Sequence, residues 1–265
     1  MAGQTTTRRG GGLSPSGPPP APSGQERRHR WRPRPDRLVF WTLGLALFAA
    51  GAFWVLHGSP WVRVERVTVE GTGVLTRDEV RRAAAVPRGA PLVSVDADAV
   101  ADRLRRKLPR IDSVAVVRSW PHEVGLKVTE RKSAVLIEKG GKFIEVDDEG
   151  VLFATVAQPS RGVPLLEMKA AGSPSRHRFG AERLRREAAG VAAGLPAPIH
   201  RETRAVLVRS YDSITLELTG GRTVAWGSPE RSEQKAKTLL ALLKTARGAG
   251  HFDVSAPGAP AVSGS

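Results

Sequence analysis

LVFWTLGLALFAAGAFWVL, running from Leu38 to Leu56, is nineteen residues without a charge. As an α-helix at about 1.5 Å per residue it spans about 28 Å, close to the roughly 30 Å hydrocarbon core of a bilayer. A helix that is apolar on every side has no polar face to turn toward water, which separates it from the helices of a soluble core. The run is longer than the apolar region of a cleaved secretory signal, and the small-x-small triplet Ala50-Gly51-Ala52 lies inside it rather than after it. The reading is an uncleaved, single-pass transmembrane anchor over residues 38–57. A cleaved signal and a buried core helix are the alternatives.

On the N-terminal side, residues 1–37 carry eight arginines against two acids, a charge of +6. On the other side the flank is sparse and mixed: His57, Arg63, Glu65 and Arg66. Positive charge is retained in the cytoplasm, so the expected topology is type II in the cell membrane, with the N-terminus cytoplasmic and Gly58 to Ser265 extracytoplasmic. Trp41, Trp54 and Trp61 suit interfacial anchors. Residues 1–37, rich in Gly, Pro, Ser and Arg with Pro18-Pro19-Pro20, have too few aliphatic residues to offset the entropy of ordering and read as a disordered basic tail. The Arg27–Arg37 cluster serves as the stop charges of that topology, with anionic headgroups as a further possible contact.

The net charge of +15 is spread through the chain, since the part after the anchor holds 33 basic against 24 acidic residues. It does not gather into a nucleic-acid patch. Arginine outnumbers lysine 32 to nine and asparagine is missing, a usage that fits a GC-rich genome. The chain has no cysteine, which excludes a disulfide framework, thiolate catalysis and cysteine-based metal sites.

Residues 61–130 form the first exterior unit. Val62, Val64, Val67 and Val69 alternate as in a strand, with one slip near Glu65-Arg66 that suggests a bulge. After Gly71-Thr72-Gly73, Thr76 and Glu79 have capping-box spacing and open a helix with Val80, Ala83 and Ala84 on one face. Leu92 to Val95 reads as extended. Asp96 and Asp98 open a second helix with Val100, Leu104 and Leu108 in line, and Pro109 stops it. Two strands follow, Ile111 to Trp120 and Val124 to Thr129, joined through Pro121-His122. The order βααββ puts two helices on one face of a three-stranded sheet, a stable two-layer arrangement and the order of a POTRA domain.

Gly89-Ala90-Pro91-Leu92, Val95-Asp96, Leu104 to Pro109, Val114, Val116, Arg118, Trp120-Pro121 and Val128-Thr129-Glu130-Arg131 form a series that resembles the FtsQ/DivIB family of bacterial division proteins. Trp120, Pro121, Glu130 and Arg131 are its strongest pieces and read as structural. The chain departs from the family in having Lys132-Ser133 where a proline usually follows Glu-Arg.

The second unit, residues 131–255, reads as a mixed β-domain with flanking helices. Strands are expected at 134–138, 143–146, 151–156 and 163–166, with Gly140-Gly141 and the Asp147-Asp148-Glu149-Gly150 turn between them. A helix at 181–195 carries Leu184, Ala188, Val191 and Leu195. A meander follows at 203–210, 213–219 and 222–226. Ser228-Pro229 is expected to start a helix that buries Ala236, Leu239, Leu240 and Leu243 and exposes Lys235, Lys237 and Lys244. The last strand is expected at 251–255, and residues 256–265 as a flexible tail. The glycine-flanked strand, the lysine-bearing helix and the Phe-Asp-Val-Ser-x-Pro end also resemble FtsQ, so the likeness covers about 61–262. The whole is an α+β protein: an N-terminal transmembrane helix, a POTRA domain and a C-terminal mixed β-domain.

No catalytic constellation stands out. The six histidines show no metalloprotease spacing, and there is no nucleophile elbow or phosphate-binding glycine loop, so neither a cofactor, a metal nor a small-molecule substrate is expected and the chain is read as a non-enzyme. The resemblance implies an essential division scaffold at the septum. It would link the coiled-coil proteins FtsB/DivIC and FtsL and, through them, the septal wall synthase. Edge-strand addition is the expected route, at Phe252, Asp253, Val254 and Ser255 with Pro257 to Val262 as a flanking groove. On this reading Phe252 would accept a charge without loss of fold. A POTRA-bearing transport or assembly factor is the alternative, but such proteins usually continue into a β-barrel and only about 125 residues follow here. A bitopic wall enzyme is a third.

Overall fold

A computed structural model describes residues 35–58, 62–169 and 174–264. Helix α1 (Pro35–Gly58) is 24 residues long and begins at a proline, the residue whose missing N–H costs least at a helix start. Arg37–Val55 within it is long and apolar enough to cross a membrane, and Leu38, Phe40, Leu43, Leu45, Leu47 and Phe48 are all exposed.

The segment that follows enters a three-stranded sheet of order β1-β3-β2. Here β1 (Arg66–Glu70) runs parallel to the central β3 (Glu123–Glu130), and β2 (Ile111–Ser119) runs antiparallel to it. Helices α2 (Arg77–Ala84) and α3 (Ala97–Lys107) cover one face, burying Val80, Ala84, Val100 and Leu104 against Val67, Val69, Val124, Leu126 and Val128. The expected capping box is present: the Thr76 hydroxyl accepts from the Glu79 N–H, and the Glu79 carboxylate accepts from the Thr76 N–H at 2.8 Å. Asp96 caps α3 by accepting from the Ala99 N–H. Two details differ from the sequence reading. Leu92–Ser94 is one turn of 3-10 helix. The slip at Glu65-Arg66 is a change of partner: Arg63 bridges Pro91, whereas Arg66 onward pairs with β3.

The C-terminal part is one nine-stranded sheet of order β12-β11-β10-β9-β8-β7-β4-β5-β6. Its strands are β4 (Val135–Lys139), β5 (Lys142–Val146), β6 (Leu152–Val156), β7 (Leu165–Met168), β8 (Thr203–Ser210), β9 (Ser213–Leu218), β10 (Thr223–Gly227), β11 (His251–Asp253) and β12 (Ala261–Ser263). Helix α4 (Pro174–Ala193) kinks at Gly180 and lays Leu184, Ala188, Val191 and Ala192 into the core. Gly150 lets α4 come close, because a Cβ there would sit 2.7 Å from the Arg186 Cα. A short helix, α5 (Ala197–Glu202), follows Pro196 and leads into β8.

Helix α6 (Ser232–Thr245) starts later than Ser228-Pro229, behind Arg231 in a left-handed conformation. Lys235, expected at the surface, is 1% exposed, and its ammonium donates to the Ser228 carbonyl at 2.7 Å. Burial pulls its pKa below the usual lysine range. The tail expected to be flexible contributes β12, which folds back on β11, so the sheet ends four strand partners beyond the meander's first strand rather than at residue 255.

Candidate functional site

The six residues expected to bind a partner fall at one corner of the large sheet, and the structure divides them. Phe252 and Val254 are completely buried in the core with Trp226 and Leu239, and Pro257 is buried beside them. A charge at Phe252 would therefore break the fold rather than report on binding, which corrects the sequence expectation. Nor is β11 the edge, because it lies between β10 and β12. Asp253 is half-buried. The Ser255 hydroxyl holds its carboxyl below the ordinary aspartate value, against the effect of burial, and the Ser255 N–H adds a bond at 2.9 Å. Gly227 allows Ser255 to close over β10, since a Cβ at its φ of +76° would lie 2.8 Å from the Ser255 Cβ.

Val262 is 43% exposed, and Ser255 is exposed as well. The Thr223 N–H donates to the Gly250 carbonyl and the Val254 N–H to the Ala225 carbonyl, so alternate residues of β11 turn their backbone to β10. His251 and Asp253 thus face β12, opposite Ser263 and Ala261. By the alternation of an antiparallel ladder, the N–H and C=O of Val262 point out of the sheet. Its side chain shares a face with Phe252, its cross-strand neighbour, and carries the apolar surface to the rim. The sequence reading named Val262 only as part of a groove. Pro260 ahead of it, which favours extended backbone at Ala259, and the Ala256-to-Ala259 turn were the available signals.

The other motif residues separate by role. Trp120 lies in the turn after β2 and is 54% exposed, so it is not part of the β2 face. The Glu130 carboxylate receives the N–H groups of Gly73, Val74 and Leu75 at 2.8, 3.0 and 2.9 Å. Burial opposes its charge, but those three donors outweigh it and hold the carboxyl below its ordinary value. Arg131 reaches out of the POTRA-type unit to pair with Asp147, while keeping Asp112 of β2 at 3.4 Å and Glu149 at 3.8 Å. Beside it Arg110 donates to Glu145 at 2.5 Å and lies over the Phe153 ring. Burial would raise the Glu145 carboxyl, yet Ser160, Arg110 and Ser133 bring it below its usual value. The backbone joins the same corner, Arg131 N–H to Arg110 C=O at 2.8 Å. An open cleft of about 460 Å³ lies over this junction, lined by Asp112, Arg131, Asp147, Glu149 and His200 among others. Its charges are paired across the two units, which is the chemistry of a joint. Among the described residues no group of three or more His, Cys, Asp or Glu could hold a metal ion.

Among the described residues, one helix long and apolar enough to cross a membrane, a βααββ unit and a large mixed sheet define the architecture of a single-pass, POTRA-type membrane protein. Residues 62–131 match the model of the FtsQ-type POTRA domain, and residues 134–255 match that of the FtsQ/DivIB C-terminal domain of cell division proteins. The cell division protein FtsQ of Streptomyces venezuelae is 57% identical over 269 residues, covering 100% of this chain and 99% of its own length. FtsQ of Streptomyces coelicolor is 54% identical over 270 residues, covering 100% of each. FtsQ of Mycolicibacterium smegmatis is 32% identical over 226 residues, 85% of this chain and 65% of that protein. The chain belongs to the FtsQ/DivIB family of cell division proteins.

Proposed function

We propose that this protein is a non-catalytic scaffold of the division septum. Its N-terminus is cytoplasmic and its folded units lie outside the membrane. It captures an extended segment of an FtsB/DivIC- or FtsL-class coiled-coil protein by strand addition at β12, and through that partner it is linked to the septal wall synthase. The observation that carries this is that β12 is the terminal strand of the large sheet with the Val262 side chain exposed on it; the alternation of the ladder turns the Val262 N–H and C=O outward. A strand docking there gains main-chain hydrogen bonds and continues the Phe252 face with its own apolar residue.

The test is Val262→Pro. It removes the one outward N–H, and proline is tolerated on an edge strand whose N–H faces solvent. Co-purification of the full-length protein with the coiled-coil partners should fall strongly, whereas Val262→Ala, which keeps the N–H, should retain most of it. Equal retention in both variants would sink strand addition at β12. A fluorescent fusion at the cytoplasmic N-terminus should band at the septum of dividing cells. A uniform membrane signal from a functional fusion would overturn the septal role.

A further inference from the structure

We propose that the hairpin tip Ser119–His122 is a second membrane contact, with Trp120 seated among the lipid headgroups of the leaflet facing the folded units. Trp120 is 54% exposed, an unusual setting for the largest side chain in a small domain, and Pro121 beside it is exposed too. The tip is pinned to the first stretch of chain after the anchor. The His122 carbonyl accepts the N–H of Glu65 at 2.9 Å and of Arg66 at 3.2 Å.

Only residues 59–61 separate the end of α1 from Val62. From Gly58 to Glu65 is seven residue steps, a reach of at most about 25 Å. The headgroup region adds about 5–7 Å on each side of the hydrocarbon core. The covalent chain thus lets a tip tied to Glu65 and Arg66 reach the headgroups, and Trp120 is what would hold it there.

The sheet register fixes which end of the unit is nearest. Arg66 pairs with Glu123 and Ser119 with Glu123, whereas Glu70 and Lys127 lie further along the strands, toward Val74 and Glu130. The same near end carries exposed Arg63, Arg66 and Arg88, which suit anionic headgroups, against the carboxylates of Glu65 and Glu123. An amphipathic indole at that depth is the chemistry of an interfacial belt, and it needs no protein partner. Such a contact would give the POTRA-type unit a fixed orientation on the membrane instead of a free swivel about the linker.

The chain has no cysteine, so a single one can be introduced and labelled. The full-length Ser119→Cys variant, carrying an environment-sensitive fluorophore, is reconstituted into vesicles of equal parts phosphatidylglycerol and phosphatidylethanolamine doped with headgroup-nitroxide lipid. A Val74→Cys variant serves as the reference at the far end of the same unit. The expected result is strong quenching at position 119, weak quenching at 74, and a fall of the 119 signal to the 74 level when Trp120→Ser is added. Circular dichroism of the Trp120→Ser protein should be unchanged, because the side chain is half exposed. Equal quenching at 119 and 74, or quenching at 119 that survives Trp120→Ser, would overturn the proposal. Septal binding at β12 is untouched by either outcome.

Discussion

The carboxylate of Glu130 faces three amide donors, and this sets a pH dependence. Its folded-state pKa lies below the ordinary glutamate value, so its contribution to stability is present above the unfolded pKa of about 4.3 and is lost as pH falls through the lower folded value. Glu130→Gln keeps an acceptor but loses the charge, and should cost about 1–2 kcal/mol at neutral pH. Urea midpoints followed down through pH 4 should show the gap between parent and variant closing; a constant gap would mean the loss is steric. Phe252 sits at the other extreme, completely buried. Phe252→Ala should cost about 3–5 kcal/mol in thermal or chemical unfolding, the cost of a large core cavity. The alternation Phe252-Asp253-Val254 was legible as a strand, but its pattern is the same for a rim strand and for the strand next to the rim. What decides between them is whether another strand follows, and that is not local information.

At the scale of elements, legibility followed the strength of the local device. Thr76 with Glu79 and Asp96 with the Ala99 N–H are caps with fixed spacing, and α2 and α3 start where the sequence puts them. Thr76→Ala removes one half of the capping box and leaves Glu79 without its hydroxyl partner, so it should lower stability by about 1 kcal/mol in a denaturant titration. A loss within error would mean the helix end is held by packing alone. Ser228-Pro229 also has the form of a helix start, yet α6 waits until Ser232 because the buried Lys235 takes the Ser228 carbonyl and Arg231 turns through a left-handed conformation first. That is a tertiary demand overriding a local signal. Strand β12 escaped notice for the opposite reason: three exposed residues carry no buried face, and they are a strand only because His251 and Asp253 are there to pair with them.

At the scale of the folded part that follows α1, two units with separate cores are joined at one polar corner. Their apolar clusters are distinct, the first built on Leu104, Val124 and Leu126 and the second on Trp226, Leu216 and Phe252. The polar corner at Arg110 and Arg131 ties them through side chains that are each 16% exposed, against Glu145 and Asp147 at 6% and 3%. Removing one partner from such a pair leaves a carboxylate short of its compensation, worth up to about 3–5 kcal/mol when burial is complete and less here because Glu145 keeps Ser160 and Asp147 keeps the Val151 N–H. The motif that resembled the family at Glu130-Arg131 thus has two jobs in adjacent residues: Glu130 closes the loop at Gly73–Leu75, and Arg131 crosses to the next unit. In scanning calorimetry the parent protein should melt its folded units in one cooperative transition, and the Arg110→Ala, Arg131→Ala double variant should split it into two, with the smaller POTRA-type unit melting first. If the double variant still melts as one transition at a lower temperature, the ion pairs add stability but the coupling between the units does not run through these two arginines.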